Sequence, residues 1–278
     1  MKNAMTFLFI IYFIAGFSQN FQGKATYKTH QKVNMKIDSS SNAPNSEVQK
    51  QLITQLQKQL QKTYTLNFTK TESTFKQNKE LAAPKSKSNG VQIMIMGNGG
   101  GTDVLYKNIA EKRFANKTEI SGKRFLIKDN LKDFKWQMTG ETKNIGKYTC
   151  YKATRSREEE RISYTSEDGK NNETKKMVTI ETIAWYTPDI PVSNGPQKYW
   201  GLPGLILEIQ EGNETIVCTE IVLNPTEKIN IEEPTKGKTV TQEKYDKILD
   251  AQTKEMMERF KNRRKNKNGE SFSIEIQG

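Results

Sequence analysis

The chain has 278 residues, 44 lysines and arginines against 32 aspartates and glutamates, a formal charge of +12 and 34% hydrophobic residues. That length fits one large domain or two small ones with an adequate core, which excludes disorder throughout. The charges of both signs are intermixed as on a solvated surface, and the one dense cluster, Lys261, Arg263, Arg264, Lys265 and Lys267, lies near the end; nucleic acid is set aside as a partner.

In chain order, the first segment is an export leader. Lys2 supplies its positive end, residues 5–14 a short apolar run, and Gly16 and Ser18 the small positions before a cut at Gln19. The apolar run is too short to span a bilayer, and no later stretch comes close. A lipid anchor needs a cysteine at the cut, whereas the only cysteines are Cys150 and Cys218. The expectation is an exported protein of the periplasm or cell exterior, not lipid-anchored.

Beyond the leader, period-two alternation dominates. Tyr64, Leu66 and Phe68 alternate with polar residues, as in a strand with one face buried and one wet. Similar runs occupy 21–32, 91–96, 123–128, 147–155, 177–186, 205–210, 215–223 and 272–276. Ser121-Gly122, Asp168-Gly169 and Gly212-Asn213 fall between such runs and suit tight hairpins. The fold class expected is mainly β (α+β): a single strongly curved antiparallel sheet or half-open barrel, with one or two amphipathic helices packed on it.

Two segments break the strand rhythm. Residues 46–60 place Val48, Leu52, Leu56 and Leu60 on one stripe behind a Ser46/Gln49 capping box. Residues 241–264 line up Tyr245, Ile248, Leu249, Gln252, Met256 and Phe260. Between them, Gly97-Asn98-Gly99-Gly100-Gly101 reads as a flexible loop and not a phosphate cradle, since no Lys-Ser/Thr pair follows.

The residue inventory disfavours common catalysis. His30 is the single histidine, so a triad or histidine-based metal cage would have to form around one ring, and a surface histidine is the plainer reading. Glu158, Glu159 and Glu160 are flanked by Arg155, Arg157 and Arg161, a solvated charge pattern. No cofactor or metal is called for. In an oxidising compartment the even cysteine count favours a Cys150 to Cys218 disulfide; the rival reading is two separately buried thiols.

The most unusual stretch runs over 183–207. Pro188, Pro191 and Pro196 fix φ and remove donors, so the chain must leave the sheet after Tyr186 and cross as an ordered loop. Leu202-Pro203-Gly204-Leu205 reads as a type II turn with positive φ at Gly204, feeding a strand whose Leu205, Ile206 and Leu207 call for cover on both faces. Trp185, Tyr186, Tyr199 and Trp200 either plug one end of the sheet or form the rim of a binding pocket.

The run Gly201, Leu202, Pro203, Gly204, Leu205, Ile206 resembles the signature of the GLPGLI family of exported proteins in Gram-negative bacteria. Phe134-Lys135-Trp136, the block at 143–153, Trp185-Tyr186-Thr187, Ile190-Pro191-Val192 and Gly195-Pro196 are similar to further blocks of that family. The resemblance covers about 134–223 and implies location and fold, not an established activity. It frames a single domain at 19–278, with an inserted helix and loop at about 42–101 and a closing helix at about 241–264. Three functions follow as expectations: a non-enzymatic binding or carrier protein for lipid or peptide, an interaction module of an outer-membrane assembly, or an enzyme using carboxylates. The oligomeric state is not encoded in any motif.

Overall fold

The computed structural model describes residues 21–32, 53–54, 57–58, 60–79, 103–167 and 170–265, with side chains omitted for 161–174, 257 and 260–265. The leader, the strands expected at 91–96 and 272–276, the loop at 97–101, the Asp168-Gly169 turn and most of the helix at 46–60 lie outside the described residues; positions 53–54, 57–58 and 60 are helical.

Twelve strands form one open sheet: β1 Gln22–Gln31, β2 Thr63–Thr69, β3 Glu72–Gln77, β4 Val104–Asn108, β5 Arg113–Ile120, β6 Lys123–Asn130, β7 Gln137–Ile145, β8 Tyr148–Glu167, β9 Lys170–Thr187, β10 Leu205–Glu211, β11 Glu214–Leu223 and β12 Lys238–Val240. The order is β12-β6-β5-β4-β3-β2-β1-β11-β10-β9-β8-β7. Neighbours are antiparallel except β12, which lies parallel to β6, so the sheet is mixed rather than purely antiparallel. Residues 42–101, expected as an insertion, carry β2 and β3 inside the sheet. One helix, α1 (Gln242–Lys265), follows β12.

Register explains the main core, beside which Tyr106, Ala115 and Leu126 form a small second cluster. Ala25 faces Leu66, Leu66 faces Phe75, Phe75 faces Leu105, and Leu105 faces Asn116, so one face of β1 to β5 collects the apolar side chains. On the far half, Ile209 pairs with Ala184 and Ala184 with Ala153, and these join the same buried cluster as Phe125 and Ile127 of β6. The sheet bends enough for β3 and β4 to reach the segment after β9: Ser73 Oγ donates to Asn194 Oδ1 at 3.4 Å and Lys107 Nζ to Gly195 O at 2.7 Å. Tight turns close neighbouring strands where sequence allows positive φ, as at Ser121 (φ 48) with Gly122 (φ 81) and at Gly212 (φ 57).

Helix α1 docks by its first turns only. Tyr245 is buried edge-on against Phe125 with ring centroids 5.7 Å apart, and Ile248 and Leu249 pack beside it, while Met256, expected on the same face, is 37% exposed. Asp129 Oδ2 accepts from Gln242 N at 3.0 Å and Thr241 Oγ1 from Lys244 N at 3.3 Å, which caps the helix against β6.

The expected disulfide is absent: Cys150 and Cys218 are free, buried thiols. Strands β9 and β10 stand between β8 and β11, and each sulfur instead faces a carbonyl of its own strand, Tyr148 O at 3.7 Å and Glu220 O at 3.5 Å. The rival reading holds, with both cysteines acting as small apolar residues of the core.

Candidate functional site

The crossing between β9 and β10 is built as the prolines require. After Thr187 the chain folds on itself through Val192 N to Ile190 O and Asn194 N to Val192 O, both 2.8 Å, and is stitched to β10 by Leu205 N to Ile190 O and Ile206 N to Asn194 O, both 2.9 Å. Leu202, Leu205, Ile206 and Leu207 are at most 1% exposed, so this stretch is covered on both faces as expected. The expected positive φ at Gly204 is a correction: Gly201 carries it (φ 95). Gly204 is needed for another reason, since a Cβ there would meet Thr187 O at 2.1 Å. Tyr27 Oη donates to Ile206 O at 2.7 Å from beneath, and Lys107 Nζ holds Gly195 O and Tyr199 O at 2.7 and 3.1 Å. Burial lowers the pKa of Lys107 well below that of an ordinary lysine.

This crossing and the bent sheet line a half-open cavity of about 770 Å³. One wall is the concave face of β2 to β6, with Tyr64, Phe75, Leu105, Phe114, Asn116 and Ile127; Tyr64 and Phe75 stack at 4.9 Å and 7°. The facing wall is Arg155 and Arg157 of β8, Glu211 of β10, and Lys198 and Tyr199 of the crossing. Phe134, Tyr199 and Trp136 stack in a tilted group, with Phe134 5.4 Å from each of the others. The capped start of α1 closes a third side with Gln242, Tyr245 and Asp246.

The charges inside are unequally engaged. Burial opposes ionisation of Glu211, but hydrogen bonds from Arg157 and then Thr182 outweigh it and lower its pKa. Arg157 grips that carboxylate through both terminal nitrogens, at 2.7 and 2.9 Å. Arg155 makes no ion pair among the described residues; its guanidinium lies 4.5 Å above the Phe134 ring, and burial, followed by the Arg157 charge, lowers its pKa. Lys198 lies 4.7 Å over the Phe114 ring and donates to Gln242 Oε1 at 2.6 Å; burial lowers its pKa. On the opposite wall, Asp103 accepts from Thr118 Oγ1 at 3.0 Å through one oxygen, while its Oδ1 is buried without a partner, as is Asn116 Oδ1. Burial raises the Asp103 pKa.

Of the four aromatic residues expected at a rim, Tyr199 alone lines the cavity. Trp185 pairs across to Lys152 and Glu208, the opposite face from Ala184, and lies buried under Lys143 Nζ at 4.4 Å. Tyr186 is buried beside Tyr151, and Trp200 donates Nε1 to Lys132 O at 2.9 Å. The signature residues 201–206 do not line the cavity either; they support the crossing that does. The cavity's own residues come from nine separate segments, and the signal that marks those on strands is the inward register of each strand. No group of three or more His, Cys, Asp or Glu among the described residues is arranged to hold a metal, and no described helix is long and apolar enough to cross a membrane.

Fold and site together define a mainly β protein, one large open sheet bent round a half-open cavity with a single fully described helix at its side. A family model described as "Protein of unknown function (Porph_ging)" matches residues 136–208, which contain the crossing and most of the blocks read from the sequence. No curated protein matches. Two solved structures, "Structure of PNGF-II in C2 space group" and "Structure of PNGF-II in P21 space group", are similar over 82% of this chain with TM-scores of 0.46 and 14% identity. The chain spans about a third of their length, 32% and 33%.

Proposed function

We propose that the protein is an exported, non-enzymatic binding protein of a bacterial cell envelope that holds a small ligand inside its bent sheet. One observation carries the reading: a cavity of about 770 Å³, within the size range of small-molecule sites, whose wall combines stacked aromatic faces with a few convergent polar groups. Export rests on the leader and on the resemblance of residues 134–223. Glu211 on the cavity wall is already held by Arg157 and Thr182, so this carboxylate is engaged in structure and not free for acid–base chemistry. The test is to purify the chain from its host, denature it and identify released small molecules by mass spectrometry, beside an Asn116→Trp variant whose ring fills the cavity. A compound retained by the wild type and lost from the variant supports the reading; equal retention, or none, refutes it.

A second reading, a docking module of an outer-membrane assembly, is favoured by the edge strand β7 and by Met138 and Met177, which are 62% and 63% exposed. Pull-downs in which a Met138→Lys, Met177→Lys double variant loses a partner that the wild type captures would support it.

A further inference from the structure

Resting on the cavity-binding reading, we propose that the ligand is amphoteric: an amino acid or short peptide with free termini, its amino end on Asp103 and Asn116 and its carboxylate on Arg155. Asp103 Oδ1 and Asn116 Oδ1 are acceptors buried without partners, a state that native structures seldom tolerate. They are near neighbours: Leu105 pairs with Asn116 and Thr118 bonds Asp103, so both residues project from the same face of β4 and β5. Asp103 has no ion pair among the described residues, so a ligand ammonium group would bring both donors and the missing charge.

Across the cavity the deficit is of opposite sign. Arg155 has no carboxylate partner among the described residues, while its neighbour Arg157 is engaged with Glu211 and Glu159. A guanidinium held over an aromatic ring still has N–H groups to offer a planar anion, and a carboxylate matches that fork. Along the sheet β5 and β8 are eight positions apart, and the bend alone brings Asn116 and Arg155 into one cavity. Between the two ends stand Tyr64, Phe75 and Phe134, surfaces for an apolar or aromatic side chain. An uncharged lipid tail would leave both deficits in place, and a simple anion would relieve only one.

The experiment is calorimetric titration of the full mature chain with phenylalanyl-alanine, its N-acetyl form, its C-terminal amide, and palmitate. The free dipeptide should bind, and each blocked form should lose about tenfold or more in affinity, as expected when one charged hydrogen-bonding end is removed. Asp103→Asn should bind the free and acetylated forms alike, and Arg155→Gln the acid and amide alike, with unchanged far-ultraviolet circular dichroism. If a variant fails to fold, the four titrations of the unaltered protein decide the matter. Blocked peptides that bind as well as the free one overturn the inference, as does a free dipeptide that does not bind. Palmitate that binds where the dipeptide does not overturns it while leaving the binding-protein reading intact. Failure of all four probes, together with no compound released from the native protein, overturns both.

Discussion

Gly204→Ala isolates the physical reason for the most conspicuous run in the chain. The backbone of Gly204 is not in the left-handed region, so an alanine is conformationally permitted and would gain about 0.4–1 kcal/mol by restricting the unfolded chain. Opposing that gain, the new Cβ would sit 2.1 Å from Thr187 O, 2.5 Å from Thr187 C and 2.9 Å from Pro188 N. All three are backbone atoms, at the end of β9 and the start of a proline-stiffened crossing, so no side chain can swing aside. Reaching even 3.0 Å requires a shift of about 0.9 Å between β9 and the segment entering β10. That shift strains the bonds of Leu205 N to Ile190 O and of Ile206 N to Asn194 O. Overpacking of this kind costs about 1–3 kcal/mol and a disturbed buried hydrogen bond adds about 1, giving a net loss of about 2–3 kcal/mol. Urea unfolding of Gly204→Ala and Gly122→Ala side by side measures it. Gly122, with φ +81 and nothing within 4 Å of its Cβ position, suffers from backbone conformation alone and should lose only about 1 kcal/mol. A Gly204→Ala protein as stable as the wild type, or less affected than Gly122→Ala, would refute the steric argument.

Four further outcomes follow from the buried groups. Denatured, unreduced protein should present two thiols to a thiol reagent and the native protein almost none, because Cys150 and Cys218 are free and buried; no titratable thiol after denaturation would restore the disulfide. Burial pushes these thiols up from 9.0 to about 11 and about 12, so the unfolded state ionises first and stability, complete below pH 9, should fall as pH rises through that window. A Cys150→Ala, Cys218→Ala protein should show a flatter decline in urea midpoints, and an unchanged decline would count against the assignment. Lys107 has the opposite sign: its folded pKa is lowered from 10.5, so the unfolded state binds more protons and stability rises with pH up to about 10.5, a rise that Lys107→Met should remove. Tyr27→Phe leaves Ile206 O without its buried donor and should cost about 1–2 kcal/mol by thermal unfolding, with no loss of the cavity ligand.

The strands legible in the sequence are those with one wet and one buried face, or with both faces buried. Alternation in Tyr64, Leu66 and Phe68 marks β2, and the unbroken Leu205, Ile206, Leu207 run marks β10. Strand β7 is invisible to the same argument because every one of its side chains is exposed or half-buried, as suits an edge, and its polar sequence has no period. Strand β4 hides a lysine at an inward position: Lys107 is fully buried because the carbonyls that accept its hydrogens lie 88 and 92 residues away. The same distance defeats the cysteine pairing. Composition and compartment argue for a bond, but sheet order is set by which strands cross over, and two strands intervene.

The two arginines of the cavity lie in a stretch whose charge pattern alone assigns it to solvent. Arg155 and Arg157 precede a run of three glutamates and read as a wet ribbon, yet Thr182 stands opposite Arg155 and Glu211 opposite Thr182, which turns these arginines inward. The proline-rich crossing acts one step further back. It carries Lys198 and Tyr199 into the cavity while its own Ile190, Leu202 and Ile206 are buried, so the most recognisable residues hold the site without touching its contents. It follows that a substitution within residues 201–206 should change ligand affinity only as far as it loosens the fold, whereas Arg155→Gln should change affinity at full stability. Measuring both quantities for Gly204→Ala and Arg155→Gln separates scaffold from site, and an affinity loss in Gly204→Ala at wild-type stability would place the signature in the binding surface itself.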